Sequence, residues 1–141
     1  MKNNVKKFSG KWGEEYNWDG PRTRRYNMEA GPVDETWLIG KIDGAENFAI
    51  RYYHVAGSAV TKLEEHHHDH GIVILHGKGQ VLIGETEHPV EQGDVVYIPP
   101  DTQHQVRNGT DKPLGFLCVI PAKRKKKGKI VWSEEGLFPD S

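Results

Sequence analysis

The sequence carries a single cysteine, Cys118, in 141 residues. An internal disulfide is therefore excluded, as is any thiolate-rich metal site, so a bound metal would have to be held by nitrogen and oxygen. An excess of one charge is also missing. The 19 Lys and Arg face 20 Asp and Glu, for a formal net charge of -1, which removes any global pull towards nucleic acid or anionic lipid. No apolar run approaches the roughly 20 residues of a membrane-crossing helix, and the opening stretch MKNNVKKFSGKW lacks the apolar segment of a secretory signal. The expectation is a cytoplasmic protein with neither nucleic-acid nor membrane partners. Clean helical periodicity is absent too: no stretch from 48 to 121 sustains ten residues of it, which argues against an α fold.

What the sequence does contain is glycine, proline and histidine. Sixteen glycines and eight prolines spread along the chain point to many short segments joined by turns, the texture of an all-β protein. Short β-branched or aromatic runs recur at Phe48–Val55, Ile72–Leu75, Val81–Ile83, Val95–Ile98 and Leu114–Ile120, and strands fit them. Gly77-Lys78-Gly79 reads as a tight hairpin turn, and Thr110-Asp111-Lys112-Pro113 as another turn. Three regions follow. Residues 1–40, with Trp12, Tyr16, Trp18, Tyr26 and Trp37 but no sustained period, read as an irregular arm whose aromatics pack over a barrel or across a dimer, a lid over a site being the alternative. Residues 41–121 read as the barrel. Residues 122–141 open with the basic run Lys123-Arg124-Lys125-Lys126-Lys127 and read as a solvated linker and tail, with Ile130-Val131-Trp132 able to add an edge strand. An anionic-ligand patch is the sharper reading of that run.

The chemistry is concentrated in Glu64-Glu65-His66-His67-His68-Asp69-His70. Glu64, His66, His68 and His70 share one parity, so in an extended chain their side chains leave one face. Imidazole and carboxylate together suit one divalent first-row metal: manganese, iron, nickel, copper or zinc. A surface histidine tract that binds metal only adventitiously is the competing reading. A second motif weighs against it: Gly93-Asp94-Val95-Val96-Tyr97-Ile98-Pro99-Pro100-Asp101-Thr102-Gln103-His104-Gln105-Val106-Arg107-Asn108 reads as a glycine turn, a buried strand, a proline stop and a strand opening on a histidine.

This second motif resembles that of the cupin superfamily, G-x5-P-x-G-x2-H-x3-N. Gly93, Pro99, His104 and Asn108 occupy its positions, and Asp101 replaces a glycine with a residue that tolerates left-handed geometry. The first cupin motif, H-x-H-x3-E-x6-G, is matched with its ligand types permuted: anchored on Gly77, it places His70 at the glutamate and His66 and Glu64 at the two histidines. The resemblance covers residues 48–121 and implies a double-stranded β-helix, or jelly-roll, barrel holding one metal. Its ligand set is Glu64, His66, His70 and His104, with His68 at the rim facing substrate. A four-histidine set, with His68 in place of Glu64, is the alternative. His54, His76 and His88 match no ligand position.

The functional expectation is a metal-dependent enzyme acting on a small polar or anionic metabolite, with dioxygenation placed first and decarboxylation or isomerisation after it. A non-catalytic metal- or metabolite-binding sensor or storage module is the reading from a different class. No helix-turn-helix pattern accompanies the barrel, so a self-contained transcription factor is not expected. Exposed sheet edges and the aromatic arm suggest a homodimer.

Overall fold

The structure, a computed structural model, describes residues 4–138. Eleven strands follow in chain order: β1 (Arg22–Met28), β2 (Gly31–Ile39), β3 (Ala49–Val55), β4 (His70–His76), β5 (Lys78–Ile83), β6 (Thr86–Glu91), β7 (Val95–Ile98), β8 (His104–Arg107), β9 (Leu114–Ile120), β10 (Lys123–Lys126) and β11 (Lys129–Trp132). One 3-10 turn, Lys41–Asp43, is the sole helical element among the described residues. A six-stranded sheet runs β1-β2-β3-β9-β4-β7, and a three-stranded sheet runs β6-β5-β8. Every strand pair is antiparallel. The two sheets share one apolar core: Val81, Val90 and Val106 of the smaller meet Ile72, Ile74, Leu114 and Phe116 of the larger. Isolated bridges Val60↔Arg107 and Glu64↔His104 lay the segment before β4 along the free edge of β8. The result is an open jelly-roll barrel.

The strands expected between 48 and 121 form, but Val95–Ile98 is not the buried strand expected, since Val95 and Tyr97 are exposed. Val95–Ile98 and Leu114–Ile120 are strands with those bounds, because alternate apolar residues there have a core to enter. Three further expectations are corrected. Residues 22–39 are not part of an irregular arm but a paired hairpin extending the large sheet; only the chain before it is irregular. The basic run is not a bare linker either, since Lys123–Lys126 forms β10 and pairs with β11. Finally, Gly77-Lys78-Gly79 does not close a hairpin. It carries the chain from β4 in one sheet to β5 in the other, and the two-residue hairpin loop is Gly84-Glu85, between Ile83 and its partner Thr86. Gly77 is still required, for φ is 80° and a Cβ would lie 2.4 Å from the Pro113 carbonyl oxygen.

Strand alternation decides what surrounds the site. On β2 and β3 the inward residues are Glu35, Trp37, Arg51 and Tyr53, while β9 and β4 present Phe116, Cys118, Ile120, His70 and Ile72 to the same cavity. Tyr52 lies on the opposite face of β3, yet it is buried. The irregular segment covers it: Trp18 packs 5.2 Å and Tyr16 5.8 Å from its ring, and Phe8 and Trp12 complete the cluster. Aromatic packing over the barrel was one of the roles expected of this arm.

Candidate metal centre

Three histidines converge from separate parts of the chain. His70 opens β4, His104 opens β8, and His66 lies between them on the segment that the Glu64↔His104 bridge holds in place. That bridge is closed by Glu64 N–H donating to the His104 carbonyl at 3.0 Å and His104 N–H donating back at 2.8 Å. The Asp101 N–H donates to the His66 carbonyl, and Asp101 adopts the expected left-handed φ of 54°. The turn before β8 is thus tied to the histidine segment. One nitrogen from each of His66, His70 and His104 lies within 4.8 Å of the others, close enough to share an ion.

The hydrogen bonds of two of these rings leave the right atoms free. His104 Nδ1 is 2.9 Å from the Thr102 carbonyl oxygen; only an N–H can satisfy a carbonyl, so Nδ1 carries the proton and Nε2 keeps its lone pair. His70 contacts the Cys118 sulfur through Nδ1 at 3.4 Å, and its Nε2 is buried without a partner. Such an orphan is expensive unless something completes it. Burial, aided by Arg51 and the neighbouring imidazoles, pushes the His70 pKa down to about 3, so the ring is neutral and available as a ligand. The donor set therefore fits a divalent first-row metal.

Glu64 and His68 stand beside this trio. Glu64 Oε2 accepts from His66 Nε2 at 2.8 Å. Burial raises the Glu64 pKa, but the His66 hydrogen bond and charge, with Arg51 and Lys62, outweigh it and the net shift is downward. His68 sits in a bend, stacked 4.9 Å from both His66 and His70, and burial lowers its pKa to about 4. Both residues line the cavity, whereas His67 points to solvent, its side chain 97% exposed. His54, His76 and His88 lie outside the trio; His76 instead contacts the Tyr52 hydroxyl at 2.5 Å and stacks on Tyr16. With Glu64 as the fourth ligand, Glu64→Ala should weaken metal binding more than His68→Ala. Calorimetric titration of both variants decides this, and the reverse order would establish the four-histidine set.

A second polar group lies in the same cavity of about 430 Å³, and sequence reading missed it. Glu35, 2% exposed, accepts from Trp37 Nε1 at 2.7 Å, the Tyr53 hydroxyl at 2.6 Å, the Tyr26 hydroxyl at 3.3 Å and Arg51 at 3.4 Å. Arg51 also donates to the Cys118 sulfur at 3.3 Å, while its Nε is buried and unpartnered. Burial would lower the Arg51 pKa, but Tyr53, the Cys118 sulfur and Glu35 raise it above its ordinary value, so the guanidinium stays charged. Burial also pushes Tyr26 up to about 12 and raises the Cys118 thiol, against the pull of Arg51. A cation held against a saturated carboxylate, with N–H groups to spare beyond those given to Glu35 and Cys118, is a ready partner for a substrate oxygen. The only available sequence signal was polar residues at the inward parity of β2 and β3.

The cupin domain family profile matches residues 51–120. The crystal structure of a cupin 2 conserved barrel domain protein from Rhodopseudomonas palustris is 35% identical, covers 87% of this chain and 83% of its own, and superposes with a TM-score of 0.74. The chain belongs to the cupin superfamily. Among curated relatives, this cupin is 40% identical over 77 residues to the 1-methylthio-D-xylulose 5-phosphate methylsulfurylase of Rhodospirillum rubrum, covering 55% of this chain and 49% of the relative. It is 40% identical over 76 residues to the glucose-6-phosphate isomerase of Thermococcus gammatolerans, covering 44% and 40%. The cupin thus spans half or less of the curated relatives it matches. No helix among its described residues is long and apolar enough to cross a membrane.

Proposed function

We propose that this cupin is a metal-dependent enzyme that moves a proton on a small phosphorylated sugar, in isomerase- or lyase-type chemistry. The observation that carries this reading is the pairing, in one cavity, of a three-histidine group with an arginine whose terminal nitrogens keep N–H groups unused. Both curated relatives are named for phosphorylated sugars, which supports that substrate class. His66, His70, His104 and Glu64 would hold the ion. A divalent metal bound there supplies Lewis-acid polarisation of a carbonyl or hydroxyl oxygen. The Arg51 guanidinium donates to a substrate oxygen that gains negative charge, and Glu35 holds it in place for that contact. His68, neutral and on the cavity wall, takes the proton from carbon. The apolar walls, Ile72, Val106 and Phe116, keep bulk water from the exchanging position.

The test is carbon-bound deuterium incorporation in heavy water, read by NMR, with D-glucose 6-phosphate and D-xylulose 5-phosphate as probes and protein loaded with Mn(II) or another divalent ion. Exchange should require metal and vanish in His104→Ala. The paired variant Arg51→Met/Glu35→Gln, which leaves no buried charge unpaired, should slow it by about 100-fold. Metal bound at one per chain without exchange on either probe would favour the non-catalytic binding module. The oxygen chemistry that the family resemblance places first has no specific observation in its favour here; substrate-dependent oxygen uptake by iron-loaded protein would reinstate it. Pairing of two copies is proposed as well, since Val95, Tyr97 and Val119 are exposed and share the outer face of the large sheet. Light scattering at the chain mass of 16.0 kDa would refute it.

A further inference from the structure

The basic run Lys123-Arg124-Lys125-Lys126-Lys127 is not uniform once folded. Position along the hairpin separates its members: at the tip Lys125 and Lys126 are exposed, while at the base Lys123 pairs with Glu46 at 2.9 Å and lies over the Trp132 ring, and Arg124 lines the cavity. Half-buried, Arg124 makes no side-chain hydrogen bond or ion pair among the described residues. The carboxylates in the lining do not compensate it, because Glu35 is committed to its four donors and Glu64 to His66. An uncompensated guanidinium facing a cavity is a recognition element for an anion.

Its placement relative to the histidines follows from the register. The hairpin leaves β9 at Ile120 and is anchored just ahead of β3, through Ala122 N–H to the Asn47 carbonyl and Lys123 to Glu46. Ile120 pairs with Ala49, the first residue of β3, and on the other side of β9 Val119 pairs with Gly71, next to His70. Arg124 and the histidine trio are therefore at the same end of the sheet, with β3 and β4 separated by β9. Two interstrand spacings amount to about 10 Å, a span that a sugar of five or six carbons with a terminal phosphate can bridge.

We infer that Arg124 is the phosphate-binding residue of this cupin, holding the anionic end of the substrate while the histidine end of the cavity engages the reacting carbons. This rests on the phosphorylated-sugar reading above and adds the residue that would make the phosphate matter. The β10–β11 hairpin then has a function: it carries one cation of a five-residue basic run to the cavity wall, and leaves its neighbours outside.

The experiment compares calorimetric affinities of the full chain for D-glucose 6-phosphate and D-xylulose 5-phosphate with those for the unphosphorylated sugars, with and without Mn(II). Wild-type protein should prefer the phosphorylated forms by at least about tenfold. Arg124→Ala should abolish that preference while keeping full metal content, Arg124→Lys should restore part of it, and Lys125→Ala should change nothing. His104→Ala, which loses the metal, should keep the preference. Retention of the preference in Arg124→Ala, or its loss in His104→Ala alone, would show that the phosphate sits on the metal and would overturn the inference. So would a wild type with no preference for either phosphorylated probe. A preference that depends on Arg124 without any deuterium exchange would instead refute the proposed reaction and leave the phosphate site standing.

Discussion

Replacing His104 with alanine should reduce the metal content of the purified protein from about one ion per chain to a small fraction of that, a fall in affinity of more than about 100-fold. The effect is large because His104 is the one member of the trio that comes from outside residues 64–70. Its Nδ1 is fixed by the Thr102 carbonyl and its backbone is held by the reciprocal pair with Glu64, so its ring is oriented before any ion arrives. Without it, His66 and His70 form an incomplete set. Elemental analysis after exhaustive dialysis checks this, and an unchanged metal content would mean that the 64–70 segment binds ions alone, as a surface tract.

The second large effect concerns stability. Asn108 is 2% exposed, and its Nδ2 faces the carbonyls of Val55, Ala56 and Lys112 at 3.1, 3.0 and 2.7 Å. Its Oδ1 accepts from the Thr110 N–H at 3.0 Å and the Thr110 hydroxyl at 2.9 Å. One side chain thus ties the end of β3 to the turn that launches β9. Asn108→Ala removes these bonds and strands buried carbonyls, at a cost of roughly 4 kcal/mol. That should lower the melting temperature by about 10–15 °C, read by calorimetry. Metal stoichiometry of the folded fraction should not move, since Asn108 lies beyond the opposite end of β8 from His104. A loss under about 1 kcal/mol would show that water or a neighbouring side chain takes over its partners.

The residues read most easily from sequence were those whose neighbours in the chain are also their partners in the structure. Gly93 to Asn108 is such a stretch: turn, strand, proline stop and histidine follow one another locally, and even the left-handed Asp101 was expected. The hairpin of β1 and β2 was illegible for a reason tied to the cavity. Its inward positions carry Glu35 and Tyr26 alongside Val33 and Trp37, and Arg51 interrupts the same parity on β3, so the apolar alternation that announces a strand is broken where the site is built. In β6 only Val90 is buried, too little to leave a period. The histidine cluster was found by composition, and its shared parity held, since Glu64, His66, His68 and His70 all line the cavity while His67 is exposed; what parity did not show is how the trio is put together. The segment bends at His67 and His68, and the trio is assembled by the bridge from Glu64 to His104, a contact between residues 40 positions apart.

Strand β3 serves two masters on alternate residues. Arg51 and Tyr53 belong to the cavity, and Tyr52 between them is the platform on which Tyr16 and Trp18 rest. Trimming the chain ahead of β1 would consequently strip the back of the sheet without touching the chemistry, producing a sticky but competent protein. Inserting one residue ahead of Arg51 would do the opposite damage, turning the guanidinium out towards the arm and delivering an apolar or aromatic side chain to the cavity. Insertions and deletions in β3 should therefore be far less tolerated than substitutions at either face alone.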